Sequence, residues 1–345
     1  MNTVLIDTPT ALFLPPVIPE EKRGANWLPL PASDPITDYI TATFLDKKLA
    51  PGSWQVARLS RSAYLYRDVE SGWQIVVKFH TAKTGKDALR HAEREYLLTR
   101  QVWESLDSNN DFQPAQPMGL WNGALFLKFV EGYTLEDKIA IRSSQPGELH
   151  HALEAIAVFF AKLHGSSSKP KSTSDFGQAA DYAYKLVDNL AKHGVLKNRP
   201  SIQNGLGNLI EKWVGNPIMW DYNATEIHGD ATSSNFIFTP KGGVVAIDWE
   251  RSEKADPAAD LGRLMAEITH SISQHGGDFA EGSIFANYLL STYCDVLDSH
   301  WEKDSLMFRS KFYQATSTLR IARNGWVSRQ DRLALVLQAF ALLSS

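Results

Sequence analysis

The sequence predicts an α+β fold, with a small antiparallel sheet and one helix in the N-terminal part and a mostly helical C-terminal part. Strand-like runs separated by short turns dominate residues 54–130, whereas amphipathic helical periods dominate residues 148–343. The chain has 345 residues, which exceeds the usual size of a single hydrophobic core, so two compact units are expected.

The composition is that of an ordinary globular protein. Hydrophobic residues make up 43% and charged residues 21% of the chain, and the formal net charge is −4, so neither a nucleic-acid partner nor an anionic membrane is expected. Cys294 is the single cysteine, which excludes an intramolecular disulfide. The first residues lack a basic segment and a long apolar run, so no signal peptide or transmembrane helix is predicted and a cytoplasmic location is expected. No feature of the sequence indicates an oligomeric state.

Residues 1–50 are predicted to form an N-terminal arm followed by a short helix. Prolines interrupt residues 1–35, and the apolar residues between them favour an extended segment docked on the protein. Asp34 before Pro35 has the pattern of an N-cap followed by proline at the first helical position. A short helix is therefore predicted within residues 34–49.

Three strands and a long helix are predicted next. The strands cover residues 54–59, 63–69 and 73–79, and in the third strand Lys78 lies on the face opposite the larger apolar side chains. Apolar residues with a period near 3.6 then predict a helix over residues 84–106.

A second hairpin and a series of helices complete the chain. Two apolar runs, 118–121 and 124–130, flank Asn122-Gly123, which is a strong two-residue hairpin turn. Periodic apolar residues predict the helices 148–164, 177–193, 203–215, 259–273, 281–298, 305–325 and 331–343. Five aromatic residues near the C-terminus are assigned to the core rather than to a stacking surface: Trp301, Phe308, Phe312, Tyr313 and Trp326.

The stretch 227–250 carries the clearest functional signal. Short apolar runs on both sides of a Pro/Gly-containing turn predict a β-hairpin. With the pairing centred on Lys241 and Gly242, Asn235 faces Asp248 at the open end. An amide oxygen beside a carboxylate suits Mg²⁺. Asp230 lies in the loop that leads into the same end and adds a third polar group.

The motif His-Gly-Asp-x-x-x-x-Asn, followed by hydrophobic-Asp-Trp-Glu, resembles that of the aminoglycoside phosphotransferase and choline kinase group, whose members have a protein-kinase-like, two-lobed fold. In this chain the motif begins at His228 and ends at Glu250. Protein kinases have arginine where this sequence has Gly229, and Phe-Gly where it has Trp249-Glu250. Both departures favour the small-molecule branch over a Ser/Thr protein kinase.

The resemblance implies a role for each motif residue. Asp230 corresponds to the catalytic base, and Asn235 and Asp248 to the Mg²⁺ ligands. Lys78 corresponds to the lysine on the α- and β-phosphates, paired with Glu95 on the following helix, with Glu93 as the alternative. The backbone of Lys128, Phe129 and Val130 corresponds to the hinge segment that binds adenine. His228 and Asp260 correspond to structural supports. Where the family often has glycines on the phosphates, this chain has Ser60, Arg61 and Ser62, which are either replacement donors or a plain solvated turn.

The implied reaction is transfer of the γ-phosphoryl group of ATP or GTP to a hydroxyl of a small molecule, with Mg²⁺. The acceptor stays open between an aminoglycoside, a choline-like alcohol, a sugar and a nucleoside. The alternatives are a Ser/Thr protein kinase, a nucleotide-binding pseudokinase or scaffold, and acyl or nucleotidyl transfer on the same fold. The resemblance divides the chain into the arm and short helix (1–50), a kinase-like N-lobe (51–131) and a helical C-lobe (132–345).

Overall fold

The computed structural model describes residues 27–45, 53–80, 86–106, 111–165, 175–297 and 302–345, with the side chain of His193 left out. The chain divides into two compact units. The first is Met1–Glu104 with Pro114–Val130, and the second is Ser105–Gln113 with Glu131–Ser345. Most of the predicted arm, the polar loop before residue 175 and Trp301 lie outside the described residues.

The elements confirm the predicted α+β class. In chain order the strands are β1 Leu28–Pro29, β2 Trp54–Arg58, β3 Ala63–Asp68, β4 Gln74–Phe79, β5 Phe112–Pro114, β6 Pro117–Trp121, β7 Ala124–Lys128, β8 Tyr133–Thr134, β9 Thr225–Ile227, β10 Phe236–Phe238, β11 Val244–Ala246 and β12 Glu253–Ala255. The helices are α1 Pro35–Phe44, α2 Lys86–Ser105, α3 Leu135–Ala140, α4 Pro146–Gly165, α5 Phe176–His193, α6 Pro200–Val214, α7 Ala258–Gln274, α8 Phe279–Val296, α9 Lys303–Arg323 and α10 Arg329–Ser344.

The first unit is built on a six-stranded sheet in the order β1-β2-β3-β4-β7-β6, in which every described pairing is antiparallel. The turn between β6 and β7 has φ angles of 46° at Asn122 and 78° at Gly123, as a type I′ turn requires, and Trp121 pairs with Ala124. In α1, the Asp34 carboxylate accepts hydrogen bonds from the N–H groups of residues 36 and 37, both at 3.0 Å. The predicted hairpin and helix cap are therefore confirmed.

The alternation in β4 places Lys78 on the face away from the core. Ile75, Val77 and Phe79 are fully buried and pack in one cluster with Tyr66 and Phe126. Successive side chains of a strand point to opposite faces, so Lys78 leaves this cluster on the other side of the sheet.

The second unit combines two small sheets with eight helices, α3 to α10, among its described residues. The sheets have the strand orders β5-β11-β10-β8 and β12-β9. A large apolar cluster joins α5, α6, α7, α9 and α10, with Leu206, Phe312 and Val336 fully buried within it. None of the described helices has both the length and the apolar character needed to cross a bilayer.

The register of the β10–β11 hairpin differs by one residue from the predicted register. Phe238 pairs with Val244, not with Val245. The N–H of Thr239 donates to the carbonyl of Gly243, which leaves a loop of three residues that ends at Gly242 with φ of +85°. A loop of odd length centres the pairing on Lys241. Asn235 consequently lies opposite Ile247, and the prediction that it faces Asp248 was wrong.

The assignment of Trp326 to the core was also wrong. Its side chain is 73% exposed, whereas Phe312 is fully buried and Phe308 and Tyr313 pack against the same core. Trp326 follows the end of α9, so helical periodicity does not fix the direction of its side chain.

Close packing of α7 on α9 depends on Gly262. A Cβ atom at this position would lie 2.5 Å from the backbone N of Gln314 and 2.5 Å from the carbonyl O of Ser310. Gly207 in α6 has nothing within 4 Å of the same position. We expect Gly262→Ala to lower the free energy of unfolding by about 1–3 kcal/mol through overpacking. Gly207→Ala should raise it by up to about 1 kcal/mol through helix propensity.

Thermal melts of the two variants beside the parent provide the measurement. A Gly262→Ala protein that melts at the parent temperature would contradict the proposed close contact between α7 and α9.

Candidate active site

The loop after β9 requires glycine at its second position. Gly229 has φ of +75°, and a Cβ atom there would lie 2.1 Å from the carbonyl O of Arg251. Any side chain would therefore face both backbone strain and a collision with backbone. This physical constraint explains why the sequence has glycine where protein kinases have arginine.

Asp260, in the first turn of α7, holds this loop by its backbone. Its carboxylate accepts the N–H of His228 at 2.6 Å and the N–H of Gly229 at 2.9 Å, and Nε2 of His164 lies 3.3 Å away. Burial alone would raise the pKa of the Asp260 carboxyl, but the His164 contact and the backbone hydrogen bond from His228 together hold that pKa below its ordinary value. Asp260 is therefore an ionised, fully buried anchor for the loop.

His228 connects the loop to the strand end that carries Asp248. Its Nε2 lies 2.9 Å from the carbonyl O of Ile247, which can only accept, so Nε2 carries the proton. Its Nδ1 then accepts the N–H of Asp230 at 3.2 Å. Burial lowers the pKa of this histidine, against the field of Asp260, in agreement with a neutral ring. One neutral imidazole thus joins two backbone segments that the sequence separates by 19 residues.

Asn235 is bonded to the same two segments, at Asp230 and Ile247. Its side-chain Nδ2 donates to the carbonyl O of Asp230 at 2.8 Å, and its own carbonyl accepts the N–H of Ile247 at 3.0 Å. With Nδ2 engaged, the amide oxygen is left as the group that can bind a cation. Asp248 follows Ile247 directly and has φ of +69°, which is rare for a residue with a side chain and is typical of functional sites.

Asp230 forms ion pairs that the sequence did not suggest. Its Oδ1 accepts a hydrogen bond from the Arg263 guanidinium, which also donates to the carbonyl O of Gly229 at 2.9 Å. Its Oδ2 lies 3.7 Å from Nε of Arg251. Asp230 keeps 15% of its side-chain surface exposed. Arg263 stands three residues after Asp260 on α7, so this helix holds both the backbone of the loop and the side chain of Asp230.

Glu136 supports the next part of the loop and was also missed. Its two carboxylate oxygens accept the hydroxyls of Ser233 and Ser271, the latter at 2.7 Å, and Nδ1 of His275 lies 3.5 Å away. These contacts tie α3 to the turn before Asn235 and to α7. The only sequence signal was the capping-box pattern at Thr134.

In the first unit, Lys78 pairs with Glu95. Its Nζ lies 2.8 Å from Oε1 of Glu95, which is 1% exposed, and the alternative Glu93 is exposed on the other side of α2. Nε2 of His80 lies 3.0 Å from the second oxygen of Glu95, a neighbour that the sequence analysis did not consider.

The side chain of Ser60 closes the turn formed by Ser60, Arg61 and Ser62. Oγ of Ser60 accepts the N–H groups of Ser62 at 3.3 Å and Ala63 at 3.1 Å. Nε of Arg58 donates to the carbonyl of Ser60 at 2.8 Å. These bonds hold the turn in shape without glycine, and they engage N–H groups that a glycine-rich turn would offer to phosphates.

The segment Lys128 to Val130 follows directly from the sheet. β7 ends at Lys128, whose N–H donates to the carbonyl of Gln116 at 2.9 Å. The N–H of Lys128 is therefore already engaged within the first unit.

Comparisons with known proteins agree with this geometry. The model of the phosphotransferase enzyme family matches residues 57–302, which is more than two thirds of the chain. The chain belongs to the phosphotransferase enzyme family, which confirms the resemblance seen in the motif. The uncharacterized protein YcbJ of Bacillus subtilis (strain 168) is 26% identical over 112 residues. That alignment covers 32% of this chain and 36% of YcbJ, so the chain spans about a third of this relative.

Two solved structures show the same fold at low identity. The streptomycin–ATP complex of APH(2″)-IIa matches with a TM-score of 0.56 and 15% identity, over 91% of this chain and 96% of that chain. Choline kinase LicA from Streptococcus pneumoniae matches with a TM-score of 0.51 and 19% identity, over 90% of this chain and 97% of that chain.

The Lys78–Glu95 pair can be tested through stability. Each single substitution removes a 2.8 Å ion pair in which Glu95 is 1% exposed, so Lys78→Met and Glu95→Gln should each lower the free energy of unfolding by about 1–3 kcal/mol. The double variant should lose less than the sum, with a coupling of about 0.5–3 kcal/mol. Glu93→Gln, on the exposed side of α2, is the matched control and should change stability by less than about 0.5 kcal/mol.

Urea unfolding followed by circular dichroism provides the measurement. Additive losses in the double variant would show that the two side chains do not stabilise one another.

Proposed function

We propose that the protein transfers the γ-phosphoryl group of ATP or GTP to a hydroxyl group of a small molecule. The proposal rests on the hydrogen bonds around His228. Its ring bonds to the backbone of Asp230 and of Ile247, which precedes Asp248, and the Asn235 side chain donates to the carbonyl of Asp230. Membership in the phosphotransferase enzyme family supports it, as do the fold neighbours, one of which is a choline kinase and one of which was solved with ATP. A reaction that consumes nucleoside triphosphate is proposed to take place in the cytoplasm.

Mg²⁺ is the metal that this chemistry implies, and the donor set fits it. The free amide oxygen of Asn235 and the carboxylate of Asp248 are hard oxygen ligands, of the kind that Mg²⁺ prefers. When bound, Mg²⁺ neutralises charge that develops on the phosphate oxygens. We assign Asn235 and Asp248 to hold it, and the ion pair with Glu95 leaves Lys78 oriented to neutralise α- and β-phosphate charge.

Asp230 is proposed to act through its Oδ2 atom. Oδ1 is committed to Arg263, whereas the 3.7 Å between Oδ2 and Arg251 exceeds hydrogen-bonding distance. The acceptor hydroxyl donates its proton to Oδ2 while its oxygen forms a bond to the γ-phosphorus. The bond from that phosphorus to the bridging oxygen breaks, and ADP or GDP leaves with the electron pair. Positioning and electrostatics supply most of the acceleration in such reactions.

The donor-binding roles of the first unit are also proposals. The backbone of Phe129 and Val130 is proposed to bind the base, with Lys128 contributing through its carbonyl because its N–H is engaged. Ser60 and Ser62 are proposed to shape the turn, and Arg61 to be its cation for phosphate. The collision that any residue other than glycine would meet at position 229 favours a small-molecule kinase over a protein kinase, which has arginine there.

Isosteric changes at Asp230 and Asp248 separate their roles. Asp230→Asn removes the proton acceptor, so turnover should fall roughly 10²-fold or more while nucleotide affinity stays within a few-fold. Asp248→Asn removes charge from the metal site, so affinity for Mg·ATP and turnover should fall together. Asp188→Asn, on the exposed surface of α5, is the matched control and should leave both unchanged.

The measurements are nucleotide affinity by fluorescence and turnover by a coupled ADP assay over a panel of alcohols. Because Asp230 pairs with Arg263, the thermal midpoint of Asp230→Asn must be compared with that of the parent. An unaffected rate in Asp230→Asn would refute the kinase assignment. Equal loss of nucleotide affinity in the two variants would refute the division of roles.

A further inference from the structure

Helix α7 extends from Asp230 as a polar stripe. Arg263, Glu267 and His270 are spaced by four and three residues, so they share one face of the helix. The stripe starts at the Arg263–Asp230 ion pair and spans about 10 Å, at about 1.5 Å per residue. Arg320 of α9 joins it through an ion pair with Glu267, and the ring of His270 lies 5.9 Å from that of Trp326 at the far end.

Carboxylates close to this stripe already have partners. Asp230 contacts Arg263 and Arg251, and Glu267 contacts Arg320. Glu136 of α3 accepts hydroxyls from two serines and contacts a histidine. A cationic acceptor would compete with the arginines for Asp230 and Glu267.

Along this stripe, the buried side-chain atoms that lack a hydrogen-bond partner among the described residues are all nitrogen. Nε of Arg263 and Nε of Arg320 are buried and have no hydrogen-bond partner among the described residues. The same holds for both ring nitrogens of His270, whose side chain is 6% exposed. Burial lowers the pKa of His270, so the ring is neutral and one of its nitrogens is a donor. Buried donors without partners are costly, and a ligand that accepts from them would gain affinity.

We propose that the acceptor alcohol carries a negatively charged oxyanion, a carboxylate, phosphate or sulfate, that binds Arg263 and Arg320 while its hydroxyl faces Asp230. This inference rests on the proposed function and specifies the class of its substrate. Planar guanidinium groups match the oxygens of such anions and form strong charge-assisted hydrogen bonds with them. An ammonium group would meet the charge of three arginines, and the carboxylates of Asp230 and Glu267 already pair with arginine. The site therefore selects against cationic alcohols such as choline.

The experiment compares compounds that share one scaffold and differ in charge. Glucuronate, glucose 6-phosphate, glucose and glucosamine form one such set, and glycerate, glycerol 3-phosphate, glycerol and serinol form a second. Binding is measured by calorimetry in the presence of Mg·ADP, and phosphoryl transfer is measured separately with Mg·ATP and Mg·GTP. In at least one set, one of the two anionic members should bind roughly tenfold or more tightly than the neutral and cationic members.

Three variants test the arginines. Arg320→Lys keeps the charge beside Glu267 but lacks the planar fork, and it should weaken the anion roughly tenfold. Arg323→Lys, exposed on the same helix, is the matched control and should bind as the parent does. Glu267→Gln releases Arg320 from its carboxylate and should tighten binding of the anion, a gain that misfolding cannot produce.

Binding tests the substrate class, and turnover tests the reaction. The inference would be overturned if an ammonium compound bound most tightly, if binding did not depend on charge, or if no anionic member bound measurably at millimolar concentration. Equal effects of Arg320→Lys and Arg323→Lys would overturn it as well. Turnover of cationic alcohols alone would leave the kinase standing and remove the proposed substrate class. Arginine-dependent binding of anions without transfer to any compound would support the inference and refute the proposed reaction.

Discussion

The geometry of the candidate active site depends on one buried carboxylate. Asp260 accepts the backbone N–H groups of His228 and Gly229, which lie in a loop where the positive φ of Gly229 excludes a regular helix or strand. With those donors satisfied, the neutral ring of His228 can join Asp230 to Ile247. Asp260 lies in α7, and α7 packs tightly on α9 through Gly262, so helix packing determines where the loop of His228, Gly229 and Asp230 is placed.

The same helix also determines the charge around Asp230. Arg263 stands three residues after Asp260 and therefore lies on a neighbouring part of the helix surface. Helix α7 thus binds the backbone of the loop through Asp260 and the side chain of Asp230 through Arg263. The ion pairs that satisfy Asp230 and Glu267 leave Nε of Arg263 and Nε of Arg320 buried and without a hydrogen-bond partner among the described residues.

Spacing in the sequence was enough to single out Asp230, Asn235 and Asp248 as candidate site residues, because a motif with fixed positions reflects a fixed local geometry. Period-based reasoning located the strands, the hairpin at Asn122-Gly123 and the major helices. It could not place Arg263, whose pairing with Asp230 depends on the rotation of a helix 33 residues away. The β10–β11 register depended on the φ angle of a turn residue, and the exposure of Trp326 depended on tertiary packing, neither of which a residue pattern contains.

The ionised carboxylate of Asp260 holds the loop of His228, Gly229 and Asp230, and the free energy of unfolding of Asp260→Asn against pH tests this most directly. Because hydrogen bonds hold the pKa of Asp260 below its ordinary value, its stabilisation is present above about pH 3.9 and is lost as the pH falls through the folded-state pKa. We expect a deficit of about 3 kcal/mol or more at pH 7 relative to the parent, from two charged hydrogen bonds. This deficit should shrink as the pH falls towards 3, whereas equal stability at pH 7 or a deficit independent of pH would contradict the claim.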